Sequence, residues 1–157
     1  MTMIEKQPGS INCFVCGRTN PIGLMLDFYL IAPGQTRVEF SLSSDYEGYP
    51  GIVHGGVIAA ILDETGGRAQ MDHPDRFMVT AQLNVRYRQP VPIETPLIAL
   101  GFADGRQGRV AKAHSQIVNH VEEVLAEAEL VLVDIPECQL ANVDPEALGW
   151  RVYDDEM

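Results

Sequence analysis

Positive charge is scarce in this chain. Eleven Lys and Arg face 22 Asp and Glu across 157 residues, a net charge of −11. A general nucleic-acid binder needs a basic surface to displace phosphate counterions, so that class is set aside. A small anionic ligand is not, because a local group of arginines can hold one. Long apolar runs are missing too. No stretch approaches the roughly 20 residues that span a bilayer, and "MTMIEKQPGS" carries no signal-type apolar segment. The expectation is a soluble cytoplasmic protein without membrane or nucleic-acid partners. Cysteine is sparse and odd in number (Cys13, Cys16, Cys138), which speaks against a disulfide framework. Cys13-x-x-Cys16 lacks the second pair of a zinc ribbon and sits in a Gly/Asn/Pro loop, so it is read as structural and metal-free. His73, His114 and His120 stand singly, without metal-site spacing. No metal or cofactor is expected, and no repeat or low-complexity segment stands out.

What is present is enough apolar residue, 46%, for one core in one domain. Residues 1–22 read as an irregular N-terminal segment, 23–135 as the domain, and 136–157 as an extension with a short helix and an acidic tail. "GLMLDFYLIA" (23–32) is apolar enough for a buried strand. "TRVEFSLS" (36–43) alternates, with Val38, Phe40 and Leu42 on one face. The intervening "PGQ" predicts a hairpin turn. Residues 55–69 predict the one long helix, apolar nearly all round through Val57, Ile58, Ile61 and Leu62, and therefore buried. In "FMVTAQLNVRYRQPV" strict alternation puts Val79, Ala81, Leu83, Val85 and Tyr87 on one face. Thr80, Gln82, Asn84, Arg86 and Arg88 fall on the other. "PLIALGFADG" and "GRVAKAHSQIVN" are two more strands, turning at "DGRQG". "EEVLAEAELVLVD" fits helix or strand; its β-branched end and the following "IP" favour strand. "DPEALGW" predicts a short helix capped by Asp144. Strands joined by short turns, with one buried helix, make an antiparallel α+β layer.

The helix raises the functional question. It opens on His54-Gly55-Gly56, where free N–H groups point past the helix end and glycine lets a ligand approach. Such amides can hold the oxygen of a reacting carbonyl. At the far end, Asp63 follows Ile61 and Leu62, where a carboxylate is costly to bury unless it is paired. That position suits a general base or a nucleophile; a solvent-facing "DE" pair is the plainer reading. His54 and Asp63 are nine residues apart, about 13.5 Å of helix, on opposite faces. If both serve one site, they come from different copies in a two-fold dimer. Thr80 can orient Asp63 or a water, or is there for strand propensity alone.

His54-Gly55-Gly56 with Asp63 nine positions after the histidine, preceded by a strand pair and followed by "VTAQLNVRYRQPVP" (79–92), resembles the hotdog-fold thioesterases. The PaaI-like and THEM-type acyl-CoA thioesterase group is the branch in question. "CFVCGRTNPIGLML" (13–26) is similar to an N-terminal signature in a subset of that group. The resemblance covers roughly residues 12–134. It implies a hotdog fold, an antiparallel five- or six-stranded sheet wrapped around the helix. It further implies edge-to-edge homodimers, often paired into homotetramers, with the active site shared across the dimer interface. The implied reaction is hydrolysis of an acyl-CoA thioester. Asp63 would be the general base or nucleophile, Gly55 or Gly56 N–H would hold the thioester oxygen, His54 would position the carbonyl or water, and Thr80 would support Asp63. Coenzyme A is anionic, so Arg86, Arg88 and Arg109 are candidates for its phosphates, with Arg106 and Lys112 nearby. Some relatives place an Asn before the HGG; "YEGYPGI" (46–52) has none. Competing readings are a non-catalytic acyl-CoA-binding module and a hotdog hydratase, although the Asp/His spacing of the hydratases is not found.

Overall fold

A computed structural model describes residues 4–73 and 76–155. In chain order these form β1 (Glu5–Lys6), β2 (Tyr29–Ala32), β3 (Gln35–Phe40), β4 (Glu47–Tyr49), β5 (Ile52–Val53), α1 (Gly55–Ala69), β6 (Met78–Tyr87), β7 (Leu97–Gln107), β8 (Val110–Val118), β9 (Val124–Asp134) and α2 (Glu137–Leu140). One antiparallel sheet has the order β1-β2-β3-β7-β8-β9-β6, and β4 and β5 make a separate two-stranded ladder. The sheet has seven strands, not five or six. The extra one is the two-residue β1, which residues 4–9 add to the β2 edge through Glu5 and Lys6.

The helix packs on β3, β6, β7, β8 and β9. Its core face is Ile58, Ile61, Leu62, Thr65, Gly66 and Ala69, all buried. Two sheet hydroxyls bond its main chain: Thr36 Oγ1 donates to Thr65 O (2.8 Å) and Ser115 Oγ to Leu62 O (2.7 Å). Those bonds demand close approach, and Gly101 provides it. A Cβ there would lie 2.5 Å from Thr36 Oγ1 and nearer still to the Thr65 carbonyl oxygen.

Several sequence expectations shift. Val38, Phe40 and Leu42 are buried together as alternation predicts, and "EEVLAEAELVLVD" does form a strand, β9. Only residues 29–32 of 23–32 enter the ladder. Met25 takes φ 53°, while Leu24 and Leu26 donate instead to Phe14 O and Val15 O of the "CFVCG" loop. The first hairpin turn is Pro33-Gly34, with Gly34 at φ 71°. The β7–β8 hairpin turns at the end of "DGRQG": Gly105 sits at a register shift within β7 with φ 117°, and the chain reverses at Gly108-Arg109. The short C-terminal helix lies at Glu137–Leu140, not at "DPEALGW". Asp144 Oδ1 does accept from Glu146 N (3.0 Å), but Gly149 at φ 64° ends that segment after one turn. No helix among the described residues is long and apolar enough to cross a membrane.

The correction that matters most for the site lies in β6. Thr80 pairs with Leu132 and Gln82 with Val131, so Ala81 has no partner and forms a bulge. Cross-strand partners share a face. Thr80 therefore lies on the helix side with buried Leu132, and beyond the bulge Leu83, Val85 and Tyr87 lie there with Leu130, Ala128 and Ala126. Strict alternation had placed Thr80 opposite those three.

Candidate active site

α1 begins where the β4–β5 ladder hands over to His54. The His54 main chain is extended, and its Nδ1 accepts from Gly56 N at 2.9 Å, capping the helix. An accepting Nδ1 leaves the proton on Nε2, which is then a donor aimed away from the cap. The His54 carbonyl accepts from Val57 N and Ile58 N. Gly56 N–H is therefore committed to the cap, whereas Gly55 N–H has no partner among the described residues. Gly55 O accepts from Tyr87 Oη at 2.7 Å, which ties the first turn to the end of β6. This phenol is a positioning residue that the sequence reading treated only as a member of an apolar face. A cleft of about 600 Å³ opens here, lined among others by Tyr49, His54, Gly55, Ile58, Tyr87 and Arg88.

Asp63 stands two turns further along the same helix. Its Oδ1 accepts from Thr80 Oγ1 at 2.6 Å. The carboxyl is half-buried. Its burial pushes its pKa above the ordinary value, the Thr80 bond pulls it back, and the neighbouring Glu64 charge pushes it up again. It lines a smaller pocket of about 180 Å³ with Met71, Phe77, Met78, Thr80 and Leu132 among its neighbours. A carboxylate kept partly out of water and oriented by one hydroxyl can take a proton from water or attack a carbonyl carbon.

The two groups thus stand apart within one chain: His54, Gly55 and Gly56 at the helix start, Asp63 and Thr80 near its end. The candidate cations scatter. Arg88 lines the larger cleft and pairs with Glu127 at 2.6 Å. Arg86 lies on the outer face of the sheet in a cavity with Asn84, His114 and Glu129. Arg109 donates to Asp134 O at 3.0 Å, and Arg106 pairs with the Asp134 carboxylate at 2.7 Å, at the far end of β8 and β9. Lys112 is exposed on β8.

The Thr80 bond yields a test of its own. Thr80→Val removes the interaction that holds the Asp63 pKa down. The acid limb of any Asp63-dependent rate should then move to higher pH, because activity that needs the ionised carboxylate is lost as pH falls through the folded pKa. A pH–rate profile whose acid limb stays in place would separate Asp63 from that limb.

Known proteins share the fold. Residues 50–126 match the family model of the thioesterase superfamily. That stretch belongs to the superfamily, and the α+β sheet around one long helix is the hotdog fold. Among curated proteins it is 35% identical over 82 residues to the mouse (Mus musculus) acyl-coenzyme A thioesterase THEM4, covering 52% of this chain and 35% of that protein. Among solved structures, a thioesterase superfamily protein aligns with a TM-score of 0.73 at 30% identity, covering 78% of this chain and 63% of the other. The E. coli PaaI protein of the phenylacetic acid degradation operon aligns with a TM-score of 0.66 at 16% identity, covering 72% and 81%, a likeness of fold. The chain spans about a third of the length of the mouse relative.

Proposed function

We propose that this protein hydrolyses acyl-coenzyme A thioesters, at a site assembled from two copies of the chain. The observation that carries the reading is Asp63, a half-buried carboxylate held by Thr80 directly after the apolar run of the helix. Asp63 takes a proton from water as the water oxygen attacks the thioester carbonyl carbon. Negative charge gathers on the carbonyl oxygen, where the Gly55 N–H stabilises it and His54 Nε2–H is a second donor. The C–S bond then breaks, and the thiol leaves with the proton held by Asp63.

β6 supports the dimeric half of the reading. It ends the sheet, its outer row of peptide groups is unpaired by other strands among the described residues, and Val79 and Tyr87 are each 52% exposed. Tyr87, at one end of β6, holds the helix start; Thr80, near the other, holds Asp63. Two β6 strands paired about a two-fold axis run antiparallel. The Thr80 end of one protomer then meets the Tyr87 end of its partner, and Asp63 faces the other chain's Gly55. Arg88 at the cleft is the cation best placed for the coenzyme phosphates, with Arg86 and Arg109 further off.

The reading is tested by thiol release over a panel of acyl-CoA esters, followed by subunit mixing. Asp63→Asn protein and Gly55→Pro protein should each be inactive. Proline removes the Gly55 N–H. Co-refolded, half the dimers are mixed and each of these keeps one intact site, so about a quarter of wild-type activity should return. Active protein that sediments as a monomer would overturn the composite site, and absence of thiol release from every ester would overturn the reaction.

A further inference from the structure

The loop "CFVCG" takes no part in the chemistry above. Its two sulfurs and the Glu64 carboxylate nevertheless converge, with their ligand atoms within 4.8 Å of one another. The loop is tightly shaped. Cys13 O accepts from Gly17 N at 2.9 Å, and a Cβ on Gly17 would overlap that oxygen and sit 2.6 Å from the Cys13 amide nitrogen. Cys13 Sγ accepts from the amides of Val15 (3.3 Å) and Cys16 (3.4 Å). Ser10 Oγ accepts from Cys13 N and lies 3.9 Å from Cys16 Sγ. The two thiols differ in access: Cys13 is half-buried, while Cys16 is 2% exposed beneath it.

A divalent cation fits this cluster poorly. Among the described residues three donors converge, where a closed structural zinc site takes four. One of the three is already engaged, since Arg68 Nε donates to Glu64 Oε1 at 2.8 Å. The Arg68 guanidinium is itself buried and stacked 4.5 Å from the Phe28 ring centroid, so a fixed positive charge already pairs with Glu64 and acts on Cys16.

We propose that Cys13 and Cys16 form a dithiol that a hydroperoxide oxidises reversibly to a disulfide, with Cys13 as the attacking sulfur and Cys16 as the resolving one. The asymmetry of the pair supports the roles. Cys16 donates its S–H to Cys13, and that bond, with the two amides, holds the Cys13 thiol down at about 6 against the opposing effects of burial and Glu64. The same bond, with burial, pushes Cys16 up. Cys13 is thus the thiolate and Cys16 the thiol. The thiolate attacks the outer peroxide oxygen, the O–O bond breaks, and the departing alkoxide takes a proton and leaves as alcohol (water from hydrogen peroxide). Cys13 is now a sulfenic acid and no longer anionic, so the charge that opposed loss of the Cys16 proton is gone. Cys16 sulfur displaces hydroxide from Cys13 sulfur, and its own proton completes a water. Two electrons have passed from the sulfurs to the peroxide. A thiol reductant reverses the bond. The site is independent of the thioesterase reading, since neither sulfur enters that reaction.

The test uses Cys138→Ser protein, because Cys138 is exposed and would react on its own. One equivalent of hydrogen peroxide should remove both remaining thiols and lower the mass by two hydrogens, and dithiothreitol should restore both. The oxidation rate should rise with pH through the Cys13 ionisation. Cys16→Ser should stop at a sulfenic acid that dimedone captures, and Cys13→Ser should consume peroxide about tenfold more slowly or less. Two free thiols after peroxide that fully oxidises free cysteine would overturn the proposal. So would accumulation of sulfinic acid in place of the disulfide, or one zinc per chain released when the thiols are alkylated. The thiol count needs only the Cys138→Ser change, at an exposed position, and does not depend on either loop variant folding.

Discussion

Asp63→Asn should abolish thiol release from acyl-CoA while raising the melting temperature. The two effects share one cause. Burial raises the Asp63 pKa, so at neutral pH the folded protein carries an ionised group that the folded environment disfavours. For such an acid, stability increases as pH falls through the folded pKa toward the unfolded one, and asparagine removes the penalty at every pH. The amide oxygen still accepts from Thr80 Oγ1, so the local geometry survives. What is lost is the ability to take a proton, worth about 10²- to 10⁴-fold for a positioned general base. Steady-state thiol release and a thermal melt on the same preparation check both halves. A variant that is inactive and less stable would indicate damage to the fold instead. One that is stable and active would remove Asp63 from the reaction.

Gly101→Ala should cost about 3 kcal/mol or more of stability and take activity with it. The added methyl would meet the Thr65 carbonyl and Thr36 Oγ1, backbone and a buried bonded hydroxyl that have no free space to move into. Thr36 is itself fully buried. The helix must lift from β7, and lifting breaks the Thr36–Thr65 bond and loosens the Ser115–Leu62 bond beside it. Both proposed half-sites ride on that helix, so rate and melting temperature should fall together. Denaturant unfolding gives the energy. An unchanged midpoint would mean that the sheet absorbs the methyl and that contact at Gly101 does not set the helix height. Gly105→Ala, one bulge further along β7, is a control of different kind: its cost comes from φ 117° alone, because nothing lies within 4 Å of the added carbon.

The sequence announces the parts whose signal is local. The helix at 55–69 follows from its apolar run and the glycine-histidine start, and the structure begins and ends it at those residues. Val38, Phe40 and Leu42 follow from period-two alternation. What stays hidden depends on partners distant in the chain. β1 and the isolated bridge between Gly9 and Arg151 have no periodicity, only neighbours that the fold supplies. The Ala81 bulge is invisible because "VTAQLNVRY" alternates cleanly by itself, and only β9 reveals that one residue goes unpaired. The same holds at the site. Asp63 and the glycines stand out in the sequence as candidates because they bracket an apolar run, whereas the assignment of Gly56 N–H to His54 Nδ1, and the hold of Tyr87 on Gly55, required coordinates.

That unpaired alanine changes how kinship with this chain should be read. Residues on either side of it obey opposite parities, so odd and even positions trade places partway along one continuous β-segment. A homologue lacking the insertion would need its hydroxyl one place earlier or later to meet the same carboxylate. An alignment that scores columns alone would register the shift as loss of the threonine. Counting from the ladder, and not along the text, is what keeps the comparison honest for this strand.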